Sequence, residues 1–289
     1  MYKFKSNAKI NIFLDIISLL DNGYHNIRSV FCEISFFDDI KYKNNKISKL
    51  RYFTQDKNIL PENNLVVKAG KLFNNNLKNT ISGLDFFLKK NIPLGSGLGG
   101  GSSNAAAVIK ILNEYYNLKL SSEKLKDLSK KIGADVPFFI DGGIQKVEGF
   151  GEKTNKIIES PLNLNIILVF PEINISTVTA YKLIDKKGLN KETTVNKKKY
   201  IKLLNAIKDN NYQEVINNIY NKFEEVIFPE YPKLKKIYNE ILDTKADKVF
   251  MSGSGSTLVG IYPTVKIMKK GIRSLKKIGY RVKQVKIIK

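Results

Sequence analysis

Cysteine is all but missing from this chain: Cys32 stands alone. That excludes an internal disulfide and a cysteine-built metal cluster, and it points to a reducing, cytoplasmic setting. Histidine is as scarce, with His25 the only one. No apolar run reaches the roughly 18 residues that a bilayer span needs. The opening Met1-Tyr2-Lys3-Phe4-Lys5-Ser6-Asn7 also lacks the apolar stretch of a secretion signal, so no membrane partner is expected. Acidic residues are few, 27 against 49 lysines and arginines, for a net charge of +22. Such an excess ordinarily suggests nucleic acid. Here the lysines run through the whole chain, as in Lys186-Lys187, Lys197-Lys198-Lys199 and Lys276-Lys277, beside abundant Asn, Ile, Tyr and Phe. Drift of an AT-rich coding sequence explains that pattern, so no nucleic-acid partner is expected, while an anionic small molecule still benefits from the field.

What is present is a globular composition. The chain has 289 residues, 43% hydrophobic and 26% charged, enough for two domains. Strands and helices alternate in both halves, an α+β architecture, and the division is expected between 1–158 and 159–289.

Residues 93–107 are unlike their surroundings. Gly95, Gly97, Gly99, Gly100 and Gly101 fall within seven positions, and glycine is costly to order unless the backbone must bend tightly or meet a ligand closely. Ser102, Ser103 and Asn104 offer N-caps ahead of a helix expected over 105–118. A glycine loop feeding a helix start presents N–H donors at the positive end of a macrodipole, which is a phosphate site. A plain flexible connection is the competing reading. It is not a Walker A loop, because no lysine follows the last glycine. Gly95, Gly97 and Gly100 satisfy G-x-G-x-x-G, but Pro93 rather than an apolar strand leads in, against a Rossmann unit.

Around the loop, the alternation predicts two opening strands broken near Ser6-Asn7, with Ile10, Ile12, Leu14 and Ile16 on one face. Lys9 and Asn11 lie on the other, which reads either as a solvated face or as rigidly held polar groups. Asp21-Asn22-Gly23 signals a turn, followed by Tyr24 and His25, a pair suited either to structure or to a planar ligand. Asp38-Asp39 reads as a turn, residues 41–58 as a surface excursion, and Pro61 to Asn64 as the start of a helix with Leu65, Val66, Ala69, Leu72 and Phe73 inward. A strand over 81–88 leads to the glycine loop, and Ser121 caps a helix to Ile132. Asp135, in an apolar turning stretch, needs a partner or a function, or else caps a short helix over 136–140. Beyond it, helices are expected over 175–184, 199–208, 212–225, 231–243 and through Lys276. Strands are expected over 144–147, 156–158, 164–169, 247–251, 257–262 and 280–288, with a second glycine-serine loop at Ser252-Gly253-Ser254-Gly255-Ser256.

Three of these pieces together resemble the GHMP kinases (galactokinase, homoserine kinase, mevalonate kinase and phosphomevalonate kinase). They are the segment from Ala8 to Leu14, the loop 93–103 and the motif 251–257, in that order. The resemblance implies a two-domain GHMP kinase fold: an N-terminal domain like domain 2 of ribosomal protein S5 and a ferredoxin-like C-terminal domain. Asp21-Asn22-Gly23-Tyr24-His25 resembles the branch that acts on cytidine diphosphate methylerythritol in non-mevalonate isoprenoid synthesis. The resemblance further implies ATP as co-substrate with Mg²⁺, Asp135 as the base, and Lys9 keeping it ionised and orienting the hydroxyl. It places Asn11 near the reacting centre and Tyr24 and His25 on the cytosine. Pro93, Leu94, Gly95, Ser96, Gly97, Leu98, Gly99, Gly100, Gly101, Ser102 and Ser103 would wrap the ATP phosphates, with Asn64 and Lys90 also at the nucleotide. No acid is tied to the loop as a metal ligand, and a monomer or weak homodimer is expected. Another kinase of the family, such as a homoserine kinase, is the first competitor and a basic nucleic-acid-binding protein the second.

Overall fold

The structure, a computed structural model, describes residues 1–45, 47, 49–55, 64–76, 83–158 and 162–288. Pro61, Glu62 and Asn63 of the expected helix start, and Ile81 and Ser82 of the expected strand, lie outside them. The chain forms two compact units, each discontinuous in sequence: Met1–Ala8, Phe36–Leu94 and Gly99–Gly142, and Lys9–Ser35, Gly95–Leu98 and Gly143–Lys289. Two long strands run through both.

Strand β1 (Tyr2–Leu19) is a single strand of 18 residues, not two. Ser6 does not end it, because its hydroxyl is buried and satisfied, sharing a 2.6 Å hydrogen bond with Ser103 and accepting from Asn104 Nδ2 at 3.2 Å. Both faces of β1 are covered: Ile10, Ile12 and Ile16 are buried on one, Lys9, Asn11 and Phe13 on the other. The reading of the Lys9–Asn11 face as solvated is therefore overturned. Strand β2 (His25–Asn44) runs straight through the expected Asp38-Asp39 turn. Asp38 is fully buried and accepts four hydrogen bonds, so the local turn chemistry that Asp favours is never used.

In the first unit the remaining elements are β3 (Arg51–Thr54), α1 (Leu65–Asn76), β4 (Leu84–Lys89), α2 (Gly100–Tyr115), α3 (Ser122–Ser129) and α4 (Phe138–Asp141). β4 pairs antiparallel with β2, from Asp39↔Lys89 to Asn44↔Leu84, and parallel with β3. α1 lays Val66, Ala69 and Phe73 against α2, whose buried Ala105, Ala106 and Ala107 leave room for close approach. Ser121 caps α3 by accepting from Lys124 N at 3.3 Å.

The second unit continues with β5 (Ile144–Gly149), β6 (Lys153–Ile158), β7 (Asn165–Phe170), α5 (Thr177–Lys186), α6 (Thr194–Lys208), α7 (Tyr212–Asn218) and β8 (Tyr220–Asn221). Then come α8 (Glu224–Glu230), α9 (Pro232–Asp243), β9 (Lys248–Met251), β10 (Leu258–Tyr262), α10 (Val265–Lys277) and β11 (Arg281–Val285). One sheet there has the order β6-β5-β2-β1-β8, the other is antiparallel in the order β11-β7-β10-β9. The buried faces of α5, α8, α9 and α10 close one core on the second sheet, with Ile167, Val169, Ala180, Ile184, Val226, Ile237, Ile241, Met268 and Leu275 among its residues. The helix expected over 212–225 is broken at Ile219, because Tyr220 and Asn221 leave it to pair in parallel with Phe13 and Leu14.

Candidate active site

In the first unit α2 begins inside the glycine run. Gly99 is its N-cap, left-handed at φ 68°, ψ 20°, with no side-chain cap. Ser102, Ser103 and Asn104 are therefore not caps but lie within the helix, the two serines in its first turn, and the helix starts five residues before the expected Ala105. A side-chain cap would occupy donors that this arrangement leaves available: the N–H groups of Gly100, Gly101 and Ser102 have no intrahelical acceptor and stand at the positive helix end. The first such bond is Ser103 N to the Gly99 carbonyl, 2.9 Å.

The strand end entering this loop is nailed down by Asp38. Its Oδ1 accepts from Asn91 N at 2.7 Å and Ile92 N at 2.8 Å, and its Oδ2 accepts from Asn104 Nδ2 at 3.0 Å and from the Lys90 ammonium. Lys90 also donates to Asn104 Oδ1 at 3.2 Å, and a Cβ on Gly100 would come within 3.1 Å of its Nζ. Asn64 caps α1, its Oδ1 accepting from Val66 N at 2.9 Å. Asp135 is half-buried in the turn between α3 and α4, where Val136 N reaches the Gly133 carbonyl at 3.1 Å. α4 is capped by Pro137, so Asp135 is not a helix cap. Pro93 is half-buried and Leu94 exposed, while Ser103 is buried against Ser6.

In the second unit, Gly95-Ser96-Gly97-Leu98 meets β1 and the second glycine-serine loop. Lys9 N donates to the Leu98 carbonyl at 3.0 Å. The Lys9 ammonium donates to Asn11 Oδ1 at 2.6 Å and lies 4.3 Å over the Phe31 ring. Asn11 Nδ2 donates to Ser29 Oγ at 3.2 Å. Lys9 and Asn11 are only 4% and 1% exposed, so a strand and its neighbours hold both heads rigidly. Ser252 Oγ donates to the Gly97 carbonyl at 3.1 Å. A Cβ on Gly253 would sit 3.1 Å from that carbonyl oxygen and 3.6 Å from Asn11 Oδ1. Sequence spacing alone never linked these two loops.

Tyr24 follows the observed turn at Gly23 (φ 80°). It is 59% exposed, its ring 5.1 Å from that of Phe150. His25 opens β2 and is 9% exposed. Its Nε2 lies at hydrogen-bond distance, 2.7 Å, from Asp185 Oδ1, and its ring stacks on Tyr181, centroids 4.4 Å apart and planes 19° apart.

Several supporting residues escaped sequence reasoning because their partners are far away in the chain. Asn221 Nδ2 donates to the carbonyls of Met251 (2.6 Å) and Gly253 (2.8 Å), setting the second loop. Lys222, 2% exposed, pairs with the fully buried Asp15 at 2.9 Å and donates to the Ile16 and Lys191 carbonyls. Burial raises the Asp15 carboxyl above its usual range, partly offset by Lys222 and Asn196. Glu224 Oε1 accepts from Met251 N at 2.7 Å. Burial pushes Glu224 up to about 7, opposed by that N–H and by Lys248 and Lys235. A carboxyl raised above its unfolded value binds protons more readily when folded. Its contribution is therefore complete below the ordinary value of 4.5 and is lost as pH rises through about 7. Glu224→Gln keeps the acceptor and removes the charge. Discounted for residual exposure, it is expected to stabilise the fold by about 1–2 kcal/mol at pH 8 and by little at pH 5. Urea unfolding at the two pH values checks this, and an equal change at both refutes it.

Residues 64–143 match the GHMP kinases N terminal domain and residues 201–280 the GHMP kinases C terminal domain. The 4-diphosphocytidyl-2-C-methyl-D-erythritol kinase of Thermoanaerobacter pseudethanolicus is 34% identical over 277 residues, 96% of this chain and 92% of its own. That of Clostridioides difficile is 32% identical over 287 residues, 99% and 94% of the two chains. A solved 4-(cytidine 5'-diphospho)-2C-methyl-D-erythritol kinase shares the fold at TM-score 0.80, with 24% identity and 99% of both chains covered. The mevalonate kinase of Methanococcus jannaschii shares it at TM-score 0.75, with 17% identity, covering 100% of this chain and 98% of its own. A shared fold alone does not separate these kinases, but identity above 30% along nearly the whole length does: the chain belongs to the 4-diphosphocytidyl-2-C-methyl-D-erythritol kinase family of the GHMP kinases.

Proposed function

We propose that this enzyme transfers the γ-phosphoryl group of ATP to the 2-hydroxyl of 4-diphosphocytidyl-2-C-methyl-D-erythritol, giving the 2-phosphate and ADP, in the non-mevalonate route to isopentenyl diphosphate. The observation that carries the reading is the buried, strand-held Lys9–Asn11 pair (2.6 Å), set on β1 where Lys9 N meets the glycine loop at Leu98. Phosphoryl transfer asks mainly for positioning and charge stabilisation, which rigid cations and N–H donors supply.

In this reading Asp135 takes the proton of the tertiary hydroxyl as its oxygen bonds to phosphorus and the bond from phosphorus to ADP breaks. Lys9 orients the hydroxyl and offsets developing charge there, and Asn11 contacts the substrate beside it. Tyr24 stacks on the cytosine and His25 hydrogen-bonds it. Residues 93–103 wrap the nucleotide phosphates through the Gly100, Gly101 and Ser102 N–H groups and the Ser102 hydroxyl, with Asn64 and Lys90 at the nucleotide. Magnesium, bound together with the nucleotide, would supply charge neutralisation and would need only one or two protein oxygens. Among the described residues no cluster of three His, Cys, Asp or Glu side chains is found, and the Ser102 hydroxyl in the first turn of α2 would be one such oxygen. The working division is 1–158 for the nucleotide and catalytic residues and 159–289 for the C-terminal domain, in a cytoplasmic monomer or weak homodimer.

A coupled ADP-release assay tests the reading. Turnover is expected with the cytidyl substrate and none with homoserine or mevalonate. The reverse pattern would overturn it.

A further inference from the structure

The only histidine has a partner that the proposed chemistry does not use. His25 Nε2 lies 2.7 Å from Asp185 Oδ1 near the end of α5. An ionised carboxylate can only accept, so Nε2 carries the hydrogen. In a neutral imidazole Nδ1 is then bare and is an acceptor, since the bond made by one ring nitrogen decides the state of the other. Among the described residues Nδ1 has no hydrogen-bond partner. Tyr181, one turn before Asp185 on α5, stacks on the imidazole at 4.4 Å and is itself braced edge-on by Phe223 at 5.0 Å. The ring is thus held in plane by one residue of α5 and in rotation by another.

Asp185 is held in turn. Its Oδ1 also accepts from Asn190 Nδ2 at 3.3 Å, and its carbonyl accepts from Gly188 N at 3.0 Å. Just beyond, the Lys191 carbonyl accepts from the buried Lys222 ammonium at 2.7 Å, Glu192 N donates to the Ile17 carbonyl at 3.1 Å, and Glu192 pairs with Arg28. The connection between α5 and α6 is therefore strapped to β1 and β2 on either side of His25.

Resting on the cytosine role proposed for His25, we infer that Asp185 is a positioning residue for ring selectivity. It fixes His25 with a bare Nδ1, so the ring accepts from a base edge that carries an amine. Cytosine presents an amine donor on that edge. Uracil presents a carbonyl oxygen there and would leave two acceptors facing each other, an unpaired arrangement that specificity sites exploit.

Because His25 is the only histidine, nitrogen NMR of enzyme labelled with ¹⁵N-histidine reports a single ring. At pH 8 the ligand-free enzyme is expected to show Nε2 protonated and Nδ1 bare, with the Nδ1 signal moving when the cytidyl substrate is added. A proton on Nδ1 in the ligand-free enzyme overturns the inference. Asp185→Ala is expected to raise KM for the cytidyl substrate about tenfold. Its kcat and its KM for ATP should stay within about twofold, and its preference over the uridine diphosphate analogue should fall about tenfold. Asp185→Asn, whose amide oxygen can still accept from Nε2, is expected to keep most of that preference. An unchanged preference in Asp185→Ala, or equal rises in both KM values with a lower Tm, overturns the inference while leaving the parent reading standing. Absence of turnover with the cytidyl substrate in the unmodified enzyme overturns the parent reading and the selectivity with it.

Discussion

Replacing Asp135 with asparagine is expected to lower kcat about a thousandfold, inside the range for removal of a general base, while KM for ATP changes by less than about threefold. The substitution preserves shape and leaves a polar group where Val136 and Phe138, both buried, flank the turn. Loss of folding is therefore not the expected route to inactivity, and Tm should stay close to that of the unmodified enzyme. The split between kcat and the ATP KM is what distinguishes a proton acceptor from a structural residue. Binding of an ATP analogue, followed by calorimetry, should persist in the variant. A kcat within tenfold of the unmodified enzyme would show that another group takes the proton. Under the proposed roles Lys9→Met and the Asp135 variant would lose activity together rather than additively, since both groups would serve one hydroxyl.

Gly97→Ala is expected to abolish measurable ATP-dependent turnover and to lower stability by about 3 kcal/mol. Two causes combine. The backbone there is left-handed, at φ 76°, which costs a residue with a Cβ about 1–2 kcal/mol. A Cβ would also overlap the Ser252 carbonyl oxygen and come within 3.1 Å of the Gly255 carbonyl oxygen. Both are backbone atoms that cannot swing aside, and such overpacking typically costs about 1–3 kcal/mol. Relief must come from moving one glycine loop away from the other, which shifts Leu98, the residue that receives Lys9 N. Gly279→Ala provides the control. It too is left-handed, at φ 96°, but nothing lies within 4 Å of the added Cβ, so about 1–2 kcal/mol of strain is expected with unchanged kinetics. Urea unfolding and the ADP-release assay on both variants check the pair. Equal activity of Gly97→Ala and Gly279→Ala would mean that the crossing of the two loops is not needed for turnover.

The glycine loop was legible because its signal is local. Five glycines before a run of alanines are conspicuous in any context, as are the Asp21-Asn22-Gly23 turn and the Ser121 cap, since each depends on atoms within four residues. Asp38 shows where local reading fails. An Asp-Asp pair favours a turn only while its carboxylates have nothing better to bind, and here Lys90, Asn91, Ile92 and Asn104 supply four donors from more than 50 residues away. The start of α2 was misplaced for a related reason. Serines are the better caps in isolation, but Gly99 in the left-handed region lets the helix begin at Gly100 and keeps the first-turn donors uncapped. Lys9 and Asn11 alternate with apolar residues just as a solvated face would, and only the covering of that face tells the two cases apart.

The sequence by itself determined the two glycine-serine loops, the α+β class, the lone histidine beside a tyrosine, and an acid set in an apolar turn. Each is a matter of residue type and short spacing, where backbone sterics and propensity act without help. The tertiary structure alone decided that Gly97 lies against Ser252, that Asn221 sets the second loop, that Lys222 is buried with Asp15, and that Asp185 orients His25. The physical reason is that polar groups withdrawn from water must find partners wherever the fold brings them, and these partners lie between 30 and 207 residues apart in the chain.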